Sequence, residues 1–226
     1  MPAVRRATAV IPARDEAGAI GAVVAAATAV VAEVIVVDDG SRDATAALAD
    51  AAGARVVRLS PGRGKGFALR SGVAAASHDR VVLCDGDGQD DPADIPLLLD
   101  ALDQGADLAI GTRFSGPIDV GAVTPVDRLG NRALTELLNL LYGVRLTDTQ
   151  AGFRAFRGSL WTQLPLAADG FAVETEVLVR ALQAGAAVTE IPVGRLPRAH
   201  GERVLHRVRD GLAILGCMLR LRLSLG

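Results

Sequence analysis

Short apolar runs alternate with segments of helical periodicity along the first half of the chain. Such runs, bounded by polar or turn residues, are typical of strands buried on both faces of a sheet. The predicted strands are 7–11, 33–37, 55–59, 80–84 and 107–110, and the predicted helices are 17–30, 43–51, 66–76 and 95–103. This alternation predicts an α/β fold, with a Rossmann-like, mostly parallel central sheet flanked by helices on both faces.

The second half of the chain has a less regular pattern. Its predicted helices are 128–141 and 175–183, its predicted strands are 153–156 and 188–193, and loops are predicted over 116–125, 147–152 and 195–203. A final helix is predicted over 204–223, where apolar residues alternate with arginines. That helix can lie in a membrane interface with its arginines among the head groups, or pack on the sheet, and the pattern favours neither. Peripheral association with a membrane is the expectation.

The most informative polar positions follow two of the predicted strands. Asp85, Asp87 and Gln89 come directly after the strand 80–84, and Asp38 and Asp39 follow the strand 33–37. In a parallel sheet, ligands bind beyond the carboxyl ends of the strands, where all these side chains are expected. An extended backbone is expected through 85–87, so that Asp85 and Asp87 can both point to one side. Carboxylate and amide oxygens suit Mg²⁺ or Mn²⁺, so this edge is a predicted metal site for a phosphate-bearing substrate.

Composition excludes several classes of protein. A net charge of −2 gives no overall attraction to nucleic acid. Two cysteines far apart do not form a disulfide framework and fit a reducing, cytoplasmic location. No segment has the pattern of a signal peptide or a transmembrane helix. The histidines lack the spacing of zinc ligands.

A glycine-rich turn surrounds Lys65, the only lysine of the chain. The residue after Lys65 is Gly66, whereas a nucleotide-binding P-loop requires serine or threonine there, so a kinase-type phosphate loop is excluded. The remaining alternatives are a plain turn that starts a helix, or a lysine held near a phosphate or ribose at a helix N-terminus. We favour the second.

Seven short motifs follow one another along the chain: IPARDE at 11–16, VVDDGS at 36–41, GKG at 64–66, DGDGQ at 85–89, GTRF at 111–114, DTQAGFR at 148–154 and EIPV at 190–193. In their order and spacing they resemble the motifs of family 2 glycosyltransferases with the GT-A fold. Among these, the chain is most similar to polyprenyl-phosphate (dolichol-phosphate) mannosyl- and glucosyltransferases. The resemblance implies one GT-A domain over 1–203, with a nucleotide-binding half to about 111, an acceptor half over 112–203 and a basic amphipathic helix over 204–226.

The resemblance also implies roles for individual residues. Nucleotide-sugar binding is expected of Pro12, Glu16, Asp38, Asp39, Lys65 and Asp85. The ligands of Mg²⁺ or Mn²⁺ are expected to be Asp87 and Gln89. The acceptor phosphate is expected to contact Arg113, Arg128, Arg132 and Arg203, and the residues central to catalysis are expected to be Asp87, Arg113 and Arg128.

The chemistry of the acceptor decides whether a base is needed. A phosphate monoester is largely ionised at neutral pH and needs alignment rather than deprotonation, a task that suits bidentate arginines. A sugar hydroxyl would need a carboxylate base, for which Asp148 or Glu174 is the candidate. The arginine-rich second half favours the phosphate.

Three functions therefore follow from the sequence as expectations. The first is an inverting, metal-dependent transfer of a hexose from GDP-mannose or UDP-glucose to a polyprenyl phosphate, by an enzyme at the inner face of the cell membrane. The second is transfer to a soluble phosphorylated small acid or a glycan. The third is a non-catalytic protein that binds a nucleotide sugar.

Overall fold

The computed structural model describes residues 4–114, 123–198 and 206–223. Seven strands form one sheet: β1 (Arg5–Ala13), β2 (Val31–Asp38), β3 (Arg55–Arg58), β4 (Arg80–Leu83), β5 (Leu108–Thr112), β6 (Arg154–Arg157) and β7 (Val188–Pro192). The helices are α1 (Ile20–Thr28), α2 (Thr45–Ala51), α3 (Lys65–Ala75), α4 (Ile95–Asp103), α5 (Pro125–Tyr142), α6 (Gly158–Gln163), α7 (Val173–Gln183) and α8 (Arg207–Leu223).

The sheet confirms the predicted mostly parallel architecture. Its strand order is β3-β2-β1-β4-β6-β5-β7, and only β6 runs antiparallel to its neighbours β4 and β5. The pairs β1–β2, β1–β4, β2–β3 and β5–β7 are all parallel. The carboxyl ends of β1, β2 and β4 therefore meet at one edge of the sheet.

Two hydrophobic clusters cover the two faces of the sheet. Along β1, alternate residues such as Ala9 and Ile11 pack with α1 and α4, while Val10 between them packs with α3. Burial on both faces explains why the strands read as continuous apolar runs rather than as an alternation of polar and apolar residues.

Several boundaries differ from the sequence prediction. Helix α5 begins at Pro125 rather than at 128, because the Thr124 hydroxyl caps it by accepting from the backbone N of Asp127. The short helix α6 was not predicted. Only positions 123–125 of the predicted loop 116–125 and 195–198 of the predicted loop 195–203 lie within the described residues.

Helix α8 packs on the domain. Its side chains Ile214, Cys217, Met218 and Leu221 are buried in the same cluster as α7. The Tyr142 hydroxyl of α5 donates to the carbonyl of Met218, and the Gln183 amide of α7 donates to the carbonyl of Leu221. One face of α8 therefore packs against the rest of the domain, which was one of the two predicted arrangements. Within the described ranges, no helix has the length and apolar character that crossing a bilayer requires.

Candidate active site

A cavity of about 530 Å³ opens beyond the carboxyl ends of β1 and β4. The first half of the chain contributes the turns after these strands and the N-terminus of α3. The second half contributes Arg113, the segment around Gly152, the start of α7, and parts of α5 and α8. Of the predicted site residues, the cavity is lined by Pro12, Glu16, Asp39, Lys65, Asp85, Asp87, Gln89, Arg113 and Glu174.

The two acids after β2 have different surroundings. The Asp39 carboxylate accepts from the backbone N of Arg63 (2.6 Å) and of Gly64 (2.9 Å), so it holds the glycine-rich turn against β2. A Cβ on Gly62 would collide with the Asp39 backbone, so this close approach requires glycine. The Asp38 carboxylate accepts from the backbone N of Ser41 and is not among the cavity-lining residues. Nucleotide binding remains a prediction for both.

The turn after β4 corrects one expectation. Extended backbone was predicted through 85–87, but Gly86 and Asp87 form a turn, so that prediction is wrong. Gly86 packs close to the Pro12 carbonyl and the Ala13 side chain, where the chain bends around the end of β1. Asp85 and Asp87 still line the same cavity but have different cationic partners.

Lys65 lies between two carboxylates. Its Nζ is 2.6 Å from Asp85 Oδ1 and 2.7 Å from Glu174 Oε1, and its side chain is 14 % exposed. Burial disfavours the ammonium, but the two carboxylates outweigh that effect and raise the pKa of Lys65. Burial likewise opposes the charge of Asp85, yet Lys65 holds the pKa of Asp85 below its ordinary value. The lysine therefore fixes Asp85, which the sequence did not predict.

Gly152 and Glu174 complete the surroundings of this lysine. A Cβ on Gly152 would lie 3.0 Å from Lys65 Nζ and 3.1 Å from Asp85 Oδ2, so the ion pair packs on bare backbone. Glu174 is 7 % exposed, and its Oε2 is buried with no hydrogen-bond partner among the described residues. That oxygen is a buried acceptor that a ligand in the cavity could satisfy.

Arg113 forms a bidentate pair with Asp148. Arg113 Nε is 2.6 Å from Asp148 Oδ2, and Nη2 is 2.7 Å from Oδ1. Burial alone would lower the pKa of Arg113, but Asp148 outweighs it and raises that pKa. Asp148 is fully buried, with both oxygens bound to the guanidinium. These contacts argue against the base role predicted for Asp148 and make it the residue that orients Arg113.

The other predicted acceptor arginines are placed differently. Arg128 and Arg132 lie on α5, are exposed and are not among the cavity-lining residues, although Arg128 lies 5.8 Å from the centre of the Phe114 ring. Arg203 lies outside the described residues. The cavity is lined instead by Arg207 and Arg209 at the start of α8, which sequence reasoning missed. Their place in the first turn of an arginine-rich helix was the available signal.

The carboxylates of Glu16 and Asp87 converge on a cation. Arg198 Nη2 lies 3.0 Å from Glu16 Oε1 and 3.0 Å from Asp87 Oδ2. Burial raises the pKa of Glu16 to about 7, with Asp87 adding to the rise and Arg198 opposing it. Because the two carboxylates hold a guanidinium between them, this part of the cavity favours a bound cation.

The donor set fits the predicted divalent ion in part. Within the described ranges, no three Asp, Glu, His or Cys side chains form a ready-made metal cluster. However, Mg²⁺ is commonly held by one or two carboxylates together with substrate phosphates and water. Asp87, with Glu16 beside it, meets that requirement. The Gln89 carboxamide instead accepts from Arg195 and donates to the Leu196 carbonyl, so its metal role remains a prediction.

Replacing Arg198 by glutamine is expected to raise the affinity for Mn²⁺ in the absence of nucleotide by about three- to tenfold. The reason is that Mn²⁺ no longer competes with a guanidinium for Asp87 and Glu16, a difference of roughly 1 kcal/mol. The Mn²⁺ affinity is measured by following free Mn²⁺ with electron paramagnetic resonance during a titration. Arg14→Gln is the matched control, because Arg14 lines the same cavity without pairing with either carboxylate. Equal affinities in all three proteins would contradict the competition.

Comparison with known proteins identifies relatives across most of the chain. The model of the family described as Glycosyl transferase family 2 matches residues 8–162. The glycosyltransferase AglJ of Haloferax volcanii is 37% identical over 182 residues, covering 80% of this chain and 59% of AglJ. The dolichyl-phosphate hexose transferase of the same organism is 34% identical over 210 residues, covering 88% of this chain and 86% of that protein. The chain therefore spans less than two thirds of AglJ.

A solved structure is similar over nearly the whole chain. It is glucosyl-3-phosphoglycerate synthase from Mycobacterium tuberculosis in complex with Mn²⁺, uridine diphosphate and glucosyl-3-phosphoglycerate. The TM-score is 0.75 at 28% identity, with 96% of this chain and 80% of that chain covered.

Proposed function

The chain belongs to glycosyl transferase family 2, and from this membership we propose that it transfers a hexose from GDP-mannose or UDP-glucose to a polyprenyl phosphate, with inversion at the anomeric carbon. The predicted GT-A fold is confirmed by the sheet order and by the likeness to the synthase. The observation that carries the proposal is the convergence of three carboxylates (Glu16, Asp85 and Asp87) with Lys65 and Arg113 on one cavity at the sheet edge.

On the donor side, the proposed work is divided between two groups of residues. Asp87, with Glu16 beside it, holds Mg²⁺ or Mn²⁺, which when bound neutralises charge on the departing nucleoside diphosphate. Asp85, fixed by Lys65, approaches the sugar, while Pro12 and Asp39 border the nucleotide. The synthase crystallised with Mn²⁺ and uridine diphosphate supports a metal and a nucleotide in this fold.

On the acceptor side, Arg113 is the proposed phosphate ligand. Asp148 occupies Nε and Nη2 of its guanidinium, so the fork is held in one orientation and the remaining N–H groups are available to an anion. An ionised phosphate aligned there attacks the anomeric carbon without losing a proton to the protein. Arg128, Arg132 and Arg203 remain predicted phosphate ligands, to which the position of Arg207 and Arg209 adds two more.

Two features bear on the class of acceptor. The dolichyl-phosphate hexose transferase among the relatives supports a lipid phosphate. The synthase, whose complex contains glucosyl-3-phosphoglycerate, supports the second candidate, a soluble phosphorylated acid. A hydroxyl acceptor would need a base, and Glu174 Oε2 on the cavity wall is the carboxylate oxygen that offers one. The third candidate, a non-catalytic binding protein, is disfavoured because the carboxylates and Arg113 all line the cavity.

The acceptor is tested by the solubility of the product. We expect labelled hexose from GDP-mannose or UDP-glucose to pass into butanol when polyprenyl phosphate in detergent is the acceptor, and expect EDTA to stop the transfer. Label that stays in water and requires 3-phosphoglycerate would replace the lipid acceptor by the soluble one. No transfer from either donor to any acceptor, with nucleotide binding retained, would support the non-catalytic alternative.

A further inference from the structure

Exposed apolar side chains are concentrated on two helices of the molecule. Of the eleven large hydrophobic residues that are exposed among the described residues, seven lie on α5 and α8. They are Val126, Leu129 and Leu140 on α5, and Val208, Leu212, Leu219 and Leu223 on α8. Scattered exposed leucines need no explanation, but an accumulation on neighbouring helices does.

Helix α8 has two apolar faces. One face is buried through residues such as Ile214 and Leu221. The other carries Val208, Leu212, Leu219 and Leu223 at spacings of four, seven and four, which places them on one side of a helix. Packing on the domain needs only the first face, so the second is left facing outward, with Leu212 64% exposed.

The outward faces of α5 and α8 border the cavity. The two helices contact each other, and Arg207 Nε of α8 donates to Asp127 Oδ1 of α5 at 2.9 Å. The cavity is lined by Val126 of α5 and by Arg207 and Arg209 of α8. Of the exposed apolar residues, Val126 thus lines the cavity itself, and Leu129, Val208 and Leu212 are sequence neighbours of residues that line it.

The charge of these helices identifies the partner. Helices α5 and α8 together carry six arginines against three acids, in a chain whose net charge is −2. Two of the acids are already engaged, since Asp127 pairs with Arg207 and Asp210 accepts from the His206 backbone and Arg209. A second copy of the chain would bring arginine against arginine, whereas an anionic lipid surface offers phosphates to the arginines and acyl chains to the leucines.

We propose that the outward faces of α5 and α8 form a docking surface for the anionic leaflet of a lipid bilayer. The contact is peripheral, with Leu129 and Leu212 entering the head-group boundary and Arg220 and Arg222 at the level of the phosphates. Docking in this orientation brings the cavity mouth onto the lipid surface. Only the resulting delivery of an acceptor head group to Arg113 rests on the proposed function.

Flotation with vesicles tests the surface without donor or acceptor. We expect the protein to float with phosphatidylglycerol-containing vesicles at least tenfold more than with phosphatidylcholine alone. In the double variant Leu129→Asp with Leu212→Asp, the fraction of protein that floats with the anionic vesicles should fall at least tenfold. The matched control is Leu48→Asp with Leu97→Asp, which changes two exposed leucines on α2 and α4 and should float like the wild type. Circular dichroism of each variant establishes that it is folded.

A second variant separates charge from apolar contact. Arg220→Gln with Arg222→Gln should keep its fold and lose much of the preference for anionic vesicles, with a weaker dependence on salt. The proposal is overturned if the wild type does not float, or if the Leu48→Asp, Leu97→Asp control loses as much flotation as the Leu129→Asp, Leu212→Asp variant. It is also overturned if sedimentation shows a dimer of the wild type that becomes a monomer in the Leu129→Asp, Leu212→Asp variant. Because flotation needs no catalysis, such a result would leave the proposed transfer reaction standing, and absence of transfer would leave the docking surface standing.

Discussion

Replacement of Lys65 by methionine is expected to lower kcat/KM by about a hundred- to a thousandfold and to destabilise the fold by about 3–5 kcal/mol. Methionine fills a similar volume but leaves the buried Glu174 and the half-buried Asp85 as two neighbouring carboxylates without a cation between them. One of them must then take up a proton or move apart, and Asp85 loses the position from which it is proposed to approach the donor sugar.

Urea unfolding and steady-state kinetics measure the two effects of Lys65→Met. The double variant with Glu174→Gln should recover part of the stability, since only one carboxylate then lacks a partner, but little of the activity. Arg63→Met is the control on the same turn: Arg63 is exposed on the Phe67 ring, and its loss should cost less than about 1 kcal/mol. Activity within a few-fold of wild type in Lys65→Met would contradict the positioning role.

The Lys65 pair also sets a pH dependence of stability. Lys65 holds the pKa of Asp85 below the ordinary 3.8, so the contribution of Asp85 is present above that pH and is lost as the pH falls through the lowered value. We therefore expect the stability difference between wild type and Lys65→Met, measured by urea unfolding, to shrink as the pH falls into the acid range.

Replacement of Arg154 by methionine is expected to destabilise the fold by about 3–5 kcal/mol. This arginine is 1% exposed and donates to three backbone carbonyls, those of Ala151 (2.6 Å), Glu174 (2.6 Å) and Thr149 (2.8 Å). Burial lowers its pKa to about 10, yet the guanidinium remains charged at neutral pH. Its loss removes the donor to these three carbonyls, at a cost of about 1–3 kcal/mol for each one left without a partner, and this cost is partly offset by removing a buried charge.

The matched control for Arg154 lies on the same strand. Arg157 of β6 is half-buried and donates to one carbonyl, that of Leu102, so Arg157→Met should cost less than about 1.5 kcal/mol. The loss of stability in Arg154→Lys should lie between those of Arg154→Met and Arg157→Met, since one ammonium cannot reproduce the planar guanidinium. Chemical unfolding of the three variants gives the comparison, and equal losses for Arg154→Met and Arg157→Met would show that the carbonyl contacts carry no special weight.

The positions of the strands could be predicted because a strand buried on both faces has a continuous run of apolar residues in its own sequence. The apolar runs along β1, β2 and β4 are long enough to be recognised without any knowledge of their neighbours. The direction of a strand in the sheet has no such sequence pattern. The sequence of β6 resembles those of the other strands, and its antiparallel direction is set by its place between β4 and β5. Likewise, helix α8 has the pattern of both an interfacial and a packed helix, and the structure shows that it has a buried face and an exposed one.

The sequence alone determined the family and the edge of the sheet at which its acids gather, because motifs and strand ends are local properties of the chain. Which charges meet at that edge was decided by tertiary structure. Lys65, Asp85 and Glu174 are distant along the chain, and no periodicity encodes that one ammonium lies between two carboxylates. The same holds for Arg198 between Glu16 and Asp87, and for Asp148 as the anchor of Arg113. Buried charges need partners at hydrogen-bond distance, and only the packed fold determines which partners are there.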